Sequence, residues 1–331
     1  MNCIIKDKYI EGFSEYLNKN ITIESELVKP VLKGNEIHRY KVLRTDKFVI
    51  FPYFFYKEKN KENAKLYNEQ LLLEKFPMGY KYLQICKSEL ENRQRGKLKN
   101  DIYWFRYIFP KNLILFKEEK IMLGEVSFGG SFTLDNNSIY HVGQYSMLKF
   151  PNIKESDKFY IAILNSKVCW FFMKNTASVL SGGYYTYRPN YLNPFPIPKI
   201  ENIEDTKPFE ILVDYIMLLK TLDEPINEYV SNEHIVKSFE EVLDGMVYEL
   251  YFKEEFESKL IQFEKEKGHI KFIEYAKEDY ASIEGLGKVE AIEVIGESYK
   301  RLKEPYNRIR NNLILLGIHF KDLIVPIMRS L

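Results

Sequence analysis

Asp101, Glu118 and Lys120 stand in the order that metal-dependent cleavage of a phosphodiester uses. In such sites an Asp on one strand and a Glu-x-Lys on the next hold a divalent cation and activate water. Here the Asp lacks a preceding proline, and Glu-x-Lys triplets arise by chance in a chain rich in both residues, so a charged turn between strands is the plainer reading. Asn193-Pro194-Phe195-Pro196 approaches the N-P-P-Y or D-P-P-Y turn that holds an amino group during methyl transfer, but its second proline is displaced and no glycine-rich cofactor segment adjoins it. Gly285-Leu286-Gly287-Lys288, followed by Ala291 and Val294, has the spacing of a helix start whose glycine amides receive a phosphate. Its acidic surroundings favour a plain turn. Cys3, Cys86 and Cys169, like His38, His141, His234, His269 and His319, are too scattered to suggest a zinc site, a disulfide or a hydrolase. No metal and no cofactor is expected on this chain.

Binding chemistry has more support. Arg93, Arg95, Lys97, Lys99, Arg106, Lys111, Lys117 and Lys120 are interleaved with Tyr103, Trp104 and Tyr107. Lysine and arginine neutralise phosphates, and arginine also pairs in a bidentate manner with guanine. Trp104 and Tyr107 fit the core at least as well as an interface. Further on, Gly182-Gly183 gives a permissive backbone that presents Tyr184, Tyr185, Tyr187 and Arg188 at a loop tip. Arg188 and one tyrosine are the better candidates there, because the other tyrosines have a place beneath the loop.

The elements that must carry these residues alternate in type. A helix is expected around Tyr9 to Leu17, then a segment from Ile21 to Lys33 broken at Pro30, a turn at Gly34-Asn35, and a buried strand from Lys47 to Tyr56 ended by Pro52. Asn63 to Arg95 has helical spacing broken at Pro77-Met78-Gly79, predicting two helices. Short apolar runs at 102–109, 112–116, 120–128 and 131–134 predict strands of a twisted or barrel-like sheet. Residues 159–174 return to helix period. Pro194, Pro196 and Pro198 forbid helix and central strand, so 193–208 is the expected domain boundary. Beyond it, helices are predicted over 209–222, 234–252, 254–275, 288–303 and 313–328, with Glu and Lys alternating over 254–267 as on a solvated face.

The net charge of +1 over 331 residues conceals an asymmetry. Residues 1–200 carry 31 Lys and Arg against 20 Asp and Glu, whereas residues 201–331 carry 17 against 27. The positive part would draw nucleic acid and the acidic part would repel it. A charged share of 29% argues against disorder. No apolar run approaches the roughly 18 residues that span a bilayer, and the M-N-C-I-I-K-D-K start lacks a signal-peptide core, so a cytoplasmic protein is expected.

Two stretches carry a resemblance. Glu26 to Tyr40 (E-L-V-K-P-V-L-K-G-N-E-I-H-R-Y) and Ala162 to Lys199, which includes I-L-N-S-K, S-G-G-Y-Y-T-Y-R-P-N-Y-L and N-P-F-P-I-P-K, resemble the target-recognition region of TaqI-like and type IIG restriction-modification adenine-specific DNA methyltransferases. The likeness covers about half the chain, roughly Glu26 to Ile200. Gly34, Arg39 and Tyr40 match that group's connecting segment, and Ile163 to Lys167 and Pro196 to Pro198 match the helix and closing segment of its recognition fold. The acidic end, including Leu243 to Tyr251, is similar to segments that follow recognition domains in these and in type I specificity proteins. In that group a catalytic domain binds S-adenosylmethionine and receives the flipped adenine, while the recognition region reads sequence.

The expectation is an α+β chain: a recognition domain over 1–200, with a twisted sheet and flanking helices, then a mostly helical spacer or docking domain over 201–331. The resemblance implies a non-catalytic part of a prokaryotic restriction-modification methyltransferase, a piece of a larger enzyme or a separate specificity subunit. Its partners would be double-stranded DNA and the methyltransferase catalytic domain or subunit. The candidate DNA-binding residues are Arg39, Arg93, Arg95, Lys97, Lys99, Arg106, Lys111, Lys117, Lys120, Tyr185, Tyr187 and Arg188. The rival readings are a protein-interaction module acting through its acidic helices and a metal-dependent nuclease built on Asp101, Glu118 and Lys120.

Overall fold

The computed structural model describes residues 4–6, 8–32, 36–141, 145–150, 154–263 and 267–328. Cys3 and the turn expected at Gly34-Asn35 lie outside the described residues. The fold is α+β, with short strands distributed over several small sheets. The chain forms two compact units. Met1–Glu36, Leu43–Lys120 and Asp135–Gly143 make the first; Ile37–Val42, Ile121–Leu134 and Gln144–Leu331 make the second.

The first unit opens on strands, not on the helix expected at 9–17. Tyr9–Ser14 pairs antiparallel with Lys19–Glu24, setting Ile10 opposite Ile23, both buried. Tyr9, Ile10 and Phe13 also fit a helical face, but Asn18 takes a φ of 49° and the Leu17 amide donates to Ser14 Oγ (3.2 Å), which closes a hairpin. Pro30, expected to break its segment, lies within Val28–Leu32, which pairs with Phe48–Ile50. Pro52 does separate Phe48–Ile50 from Tyr53–Glu58. That last strand returns through Lys59 and Asn60, both at positive φ, to Lys61–Leu66, so the predicted helix begins later than Asn63. Three short helices follow, Glu69–Lys75, Pro77–Ile85 and Lys87–Gly96, the last leaving helical geometry at Arg93, Gln94 and Arg95. The Glu24 carboxylate accepts the Met78 and Gly79 amides (2.8 and 2.9 Å) and so caps the second. Leu27, Leu72, Phe76, Leu83, Trp104 and Phe105 are packed in this unit's core.

Strands do not form over 102–109 and 112–116. These residues are turns and a 3-10 helix, Leu115–Lys117. Arg93 donates to the carbonyls of Leu90 (3.0 Å), Trp104 (3.3 Å) and Arg106 (3.0 Å), and Asp101 accepts the Tyr103 amide (2.8 Å). Side chains thus take backbone groups that a ladder would need.

In the second unit, Lys120–Gly124 runs between Phe132–Asp135 and Tyr145–Leu148, although its end residue Lys120 and the facing end residue Asp135 belong with the first unit. The helical run expected over 159–174 divides into Asp157–Leu164 and Lys167–Thr176, capped by Ser156 and Ser166. Asn165, at the break, is fully buried: its Oδ1 accepts the Phe132 amide (3.0 Å) and its Nδ2 donates to the Phe132 carbonyl (2.9 Å). A Cβ on Gly130 would stand 2.9 Å from the Leu164 oxygen and 3.0 Å from Asn165 Cα, so glycine is required where strand and helix meet.

Lys207–Leu219, Asn232–Tyr251 and Lys288–Lys303 match the predicted helices closely. The single helix expected over 254–275 does not form; Lys253–Ser258, a small hairpin of Ile261–Gln262 with Lys267–Gly268, and Ile273–Asp279 replace it, with residues 264–266 outside the described residues. Its alternating Glu and Lys offer no apolar face, whereas Ile261, Ile270 and Phe272 each find a buried place. The apolar end piece is two helices, Arg308–His319 and Lys321–Met328. Among the described residues no helix is long and apolar enough to cross a membrane.

Candidate nucleic-acid interface

Within the first unit the basic cluster separates into displayed and engaged cations. Arg95, Lys97, Lys99, Lys111 and Lys117 are exposed. Gln94, Arg95 and Gly96 all take positive φ (49°, 62° and 79°), and Asn100 does so at 62°, so sharp turns present Lys97 and Lys99. The Lys97 ammonium lies 4.5 Å from the centre of the exposed Phe109 ring, in the same turn region as exposed Ile102 and Tyr103. Lys117 lies over Phe55 (4.5 Å) and pairs with Glu62. Arg93 serves as the carbonyl clasp described above. Arg106 is held by Asp101, its Nη2 2.9 Å from Oδ2. Trp104 is buried, and the half-buried Tyr107 donates its hydroxyl to the Ile50 carbonyl (2.6 Å).

Lys120 is inside the fold, with 1% exposure. Its ammonium pairs with the fully buried Asp135 and donates to the Phe116 carbonyl (3.0 Å). The Asp135 carboxylate also accepts the amides of Asn137 and Ile139 (both 2.9 Å). An ammonium so enclosed offers no edge to a phosphate. Asp101 is turned to the Tyr103 amide and the Arg106 guanidinium, which hold its carboxyl below its ordinary value. Asp101 and Lys120 of the nuclease reading are thus engaged apart from one another, Glu118 is exposed, and among the described residues no group of three or more His, Cys, Asp or Glu gathers to hold a metal.

His141 packs on Phe116 with ring centroids 5.1 Å apart. Burial first, and then the nearby Lys120 charge, lower its pKa from 6.5 to about 4. The unfolded chain binds this proton more readily than the folded one, so the contribution is present above pH 6.5 and is lost as pH falls toward 4. Urea titrations at pH 7 and pH 4 should show the wild type losing up to about 3 kcal/mol more than His141→Asn over that interval. Equal losses would remove His141 as the cause.

In the second unit, Tyr185–Thr186 pairs with Val126–Ser127. The loop leading to it turns at Gly182 and Gly183, both at φ 78°. Tyr184 is exposed, and Tyr185 is half-buried against Trp170 (5.1 Å). Tyr187 is enclosed, its amide donating to the Glu125 carbonyl (2.8 Å) and its ring edge-on to Phe132 (5.7 Å). Arg188 is exposed, its Nε 3.5 Å from Glu125 Oε2. Exposed Val126, Phe128, Val179 and Leu180 extend this surface. Sequence reasoning missed Phe128 and Glu125; the S-F-G-G stretch, an aromatic beside a glycine pair, was the available signal.

Arg39 ties its segment to the helix Asn232–Tyr251 through Glu240 (2.7 Å), with its guanidinium 5.2 Å from the Tyr40 ring centre. Phe195 of Asn193-Pro194-Phe195-Pro196 is buried against Phe172 and Tyr251, and the Tyr251 hydroxyl donates to the Pro196 carbonyl (2.6 Å). The Gly287 amide donates to the carboxylate of Glu290 (3.1 Å), which caps the helix Lys288–Lys303.

An α+β fold that displays cations on tight turns and an arginine beside exposed aromatic residues has the features of a recognition module. The family model described as TaqI-like C-terminal specificity domain matches residues 29–197, about half of the chain. The chain belongs to this family, and so carries a sequence-specificity module of restriction-modification enzymes. The matched residues include both the 93–120 cluster and the loop that ends at Arg188. No match is found among curated proteins.

Proposed function

We propose that this chain reads the DNA target of an N6-adenine methyltransferase in a type II or IIG restriction-modification system, as a non-catalytic part of that enzyme. The observation that carries the reading is the specificity-domain match over residues 29–197, which contains the exposed cations described above. In this reading Arg95, Lys97, Lys99, Lys111 and Lys117 hold phosphates and fix register. Tyr185 and Arg188 approach the bases. Arg39, Arg93, Arg106, Tyr187 and Lys120 support the elements that present them. Residues 1–200 serve recognition. The acidic remainder, 17 Lys and Arg against 27 Asp and Glu, turns away from DNA and docks the methyltransferase catalytic domain or subunit. S-adenosylmethionine belongs to that partner. The site of action is the cytoplasm of a prokaryote.

Selection of duplexes from a randomised pool at two salt concentrations tests the reading, because base contacts survive salt better than phosphate attraction does. An enriched motif supports it; absence of duplex binding overturns it. Lys97→Ala should weaken every duplex alike and reduce the slope of log affinity against log salt by about 0.9, the release of one phosphate contact. Weakening confined to the enriched motif would instead place Lys97 at a base.

A further inference from the structure

The cations of the two surfaces differ in their surroundings. Among the described residues, Arg95, Lys97, Lys99 and Lys111 stand in no ion pair. Arg188, equally exposed, has the Glu125 carboxylate 3.5 Å from its Nε. Its backbone is fixed from both sides. The preceding Tyr187 amide donates to the Glu125 carbonyl, and the Arg188 carbonyl accepts the amides of Tyr191 (2.9 Å) and Leu192 (3.0 Å) in the short helix Pro189–Leu192. A surface ion pair of this kind contributes little to stability; its consequence lies in which acceptors the guanidinium can bind.

A phosphate brought to Arg188 would place a second anion beside Glu125, and repulsion would offset much of the attraction. The major-groove edge of guanine presents N7 and O6, two uncharged acceptors matched to the planar fork of arginine. A carboxylate at Nε tolerates that ligand and orients the terminal nitrogens toward it. We infer that Arg188, oriented by Glu125, reads a guanine in the target sequence. Arg188 touches the base, and Glu125 is a positioning residue. This rests on the DNA-reading function proposed above and adds to it the base, the groove and the pair of residues.

The experiment repeats the duplex selection with wild type, Arg188→Lys and Glu125→Gln, and measures each protein on the enriched duplex, on single-position variants of it and on a random duplex. Arg188→Lys keeps the charge and loses the fork. It should lose roughly 5- to 150-fold of discrimination at one guanine position, with the random duplex and the salt slope little changed. Glu125→Gln should lose part of the discrimination at that same position. Unfolding midpoints close to wild type will show that both variants fold. Three results would overturn the inference: discrimination at every position retained in Arg188→Lys, a uniform tightening on all duplexes in Glu125→Gln, or loss at an A·T position. A wild type that binds duplexes and enriches no motif would instead overturn the sequence-reading function, and this inference with it.

Discussion

Lys120→Ala is expected to lower the free energy of unfolding by about 3–5 kcal/mol, the range for removing one partner of a buried ion pair. The substitution leaves the Asp135 carboxylate, fully buried, with the Asn137 and Ile139 amides and without its ammonium. It also removes the donor to the Phe116 carbonyl. Urea unfolding should show a lower midpoint with an unchanged slope, the mark of a native-state loss. Lys117→Ala, three residues away in an exposed pair with Glu62, should change stability by no more than about 1 kcal/mol. Replacing both buried partners with apolar residues of similar volume should restore much of what Lys120→Ala loses. A loss below about 1 kcal/mol in the single variant would mean that water reaches the pair.

Asn165→Ala is the second large effect, about 2–4 kcal/mol, combining an unsatisfied buried donor with a small cavity. The Phe132 amide loses its acceptor. The Phe132 carbonyl retains the Tyr40 amide (3.1 Å), so the loss falls mainly on the N–H. Because Asn165 is fully buried with both of its amide atoms on the Phe132 backbone, a side chain one methylene longer would displace that pairing: Asn165→Gln should rescue little, and Asn165→Ser part. Chemical denaturation of the three variants supplies the comparison, and a glutamine variant as stable as wild type would show that the pairing with Phe132 does not depend on the length of the side chain.

The contrast between these two residues shows what sequence does and does not disclose. Helices with a local apolar stripe and a serine cap were legible, and Asn232–Tyr251, capped by Ser231, falls within two residues of its predicted bounds at 234–252. Tyr9–Leu17 was not, because its apolar positions suit either period, and the choice is made by the opposing strand with Ile23. Among the cations, residue type announced charge but not exposure. Lys120 differs from Lys117 in having Asp135 within reach, and Arg39 meets Glu240, 201 residues along the chain. The sheet expected at 102–116 failed for a related reason, since Arg93 intercepts carbonyls that periodicity alone would assign to neighbouring strands. The Arg188 loop was readable because its signal, paired glycines before aromatic residues and an arginine, is entirely local.

The division of the chain between its two compact units has a bearing on how such a module diversifies. The polypeptide passes from one to the other five times, at 36–37, 42–43, 120–121, 134–135 and 143–144. Recombination between relatives at a single crossover before residue 144 would therefore join halves of a unit that never folded together. Everything after that point, including the loop that ends at Arg188, belongs to one unit without interruption. A block exchanged there would still have to fit Ile37–Val42 and Ile121–Leu134, which belong to the same unit, so compatibility with those two segments decides which exchanges fold.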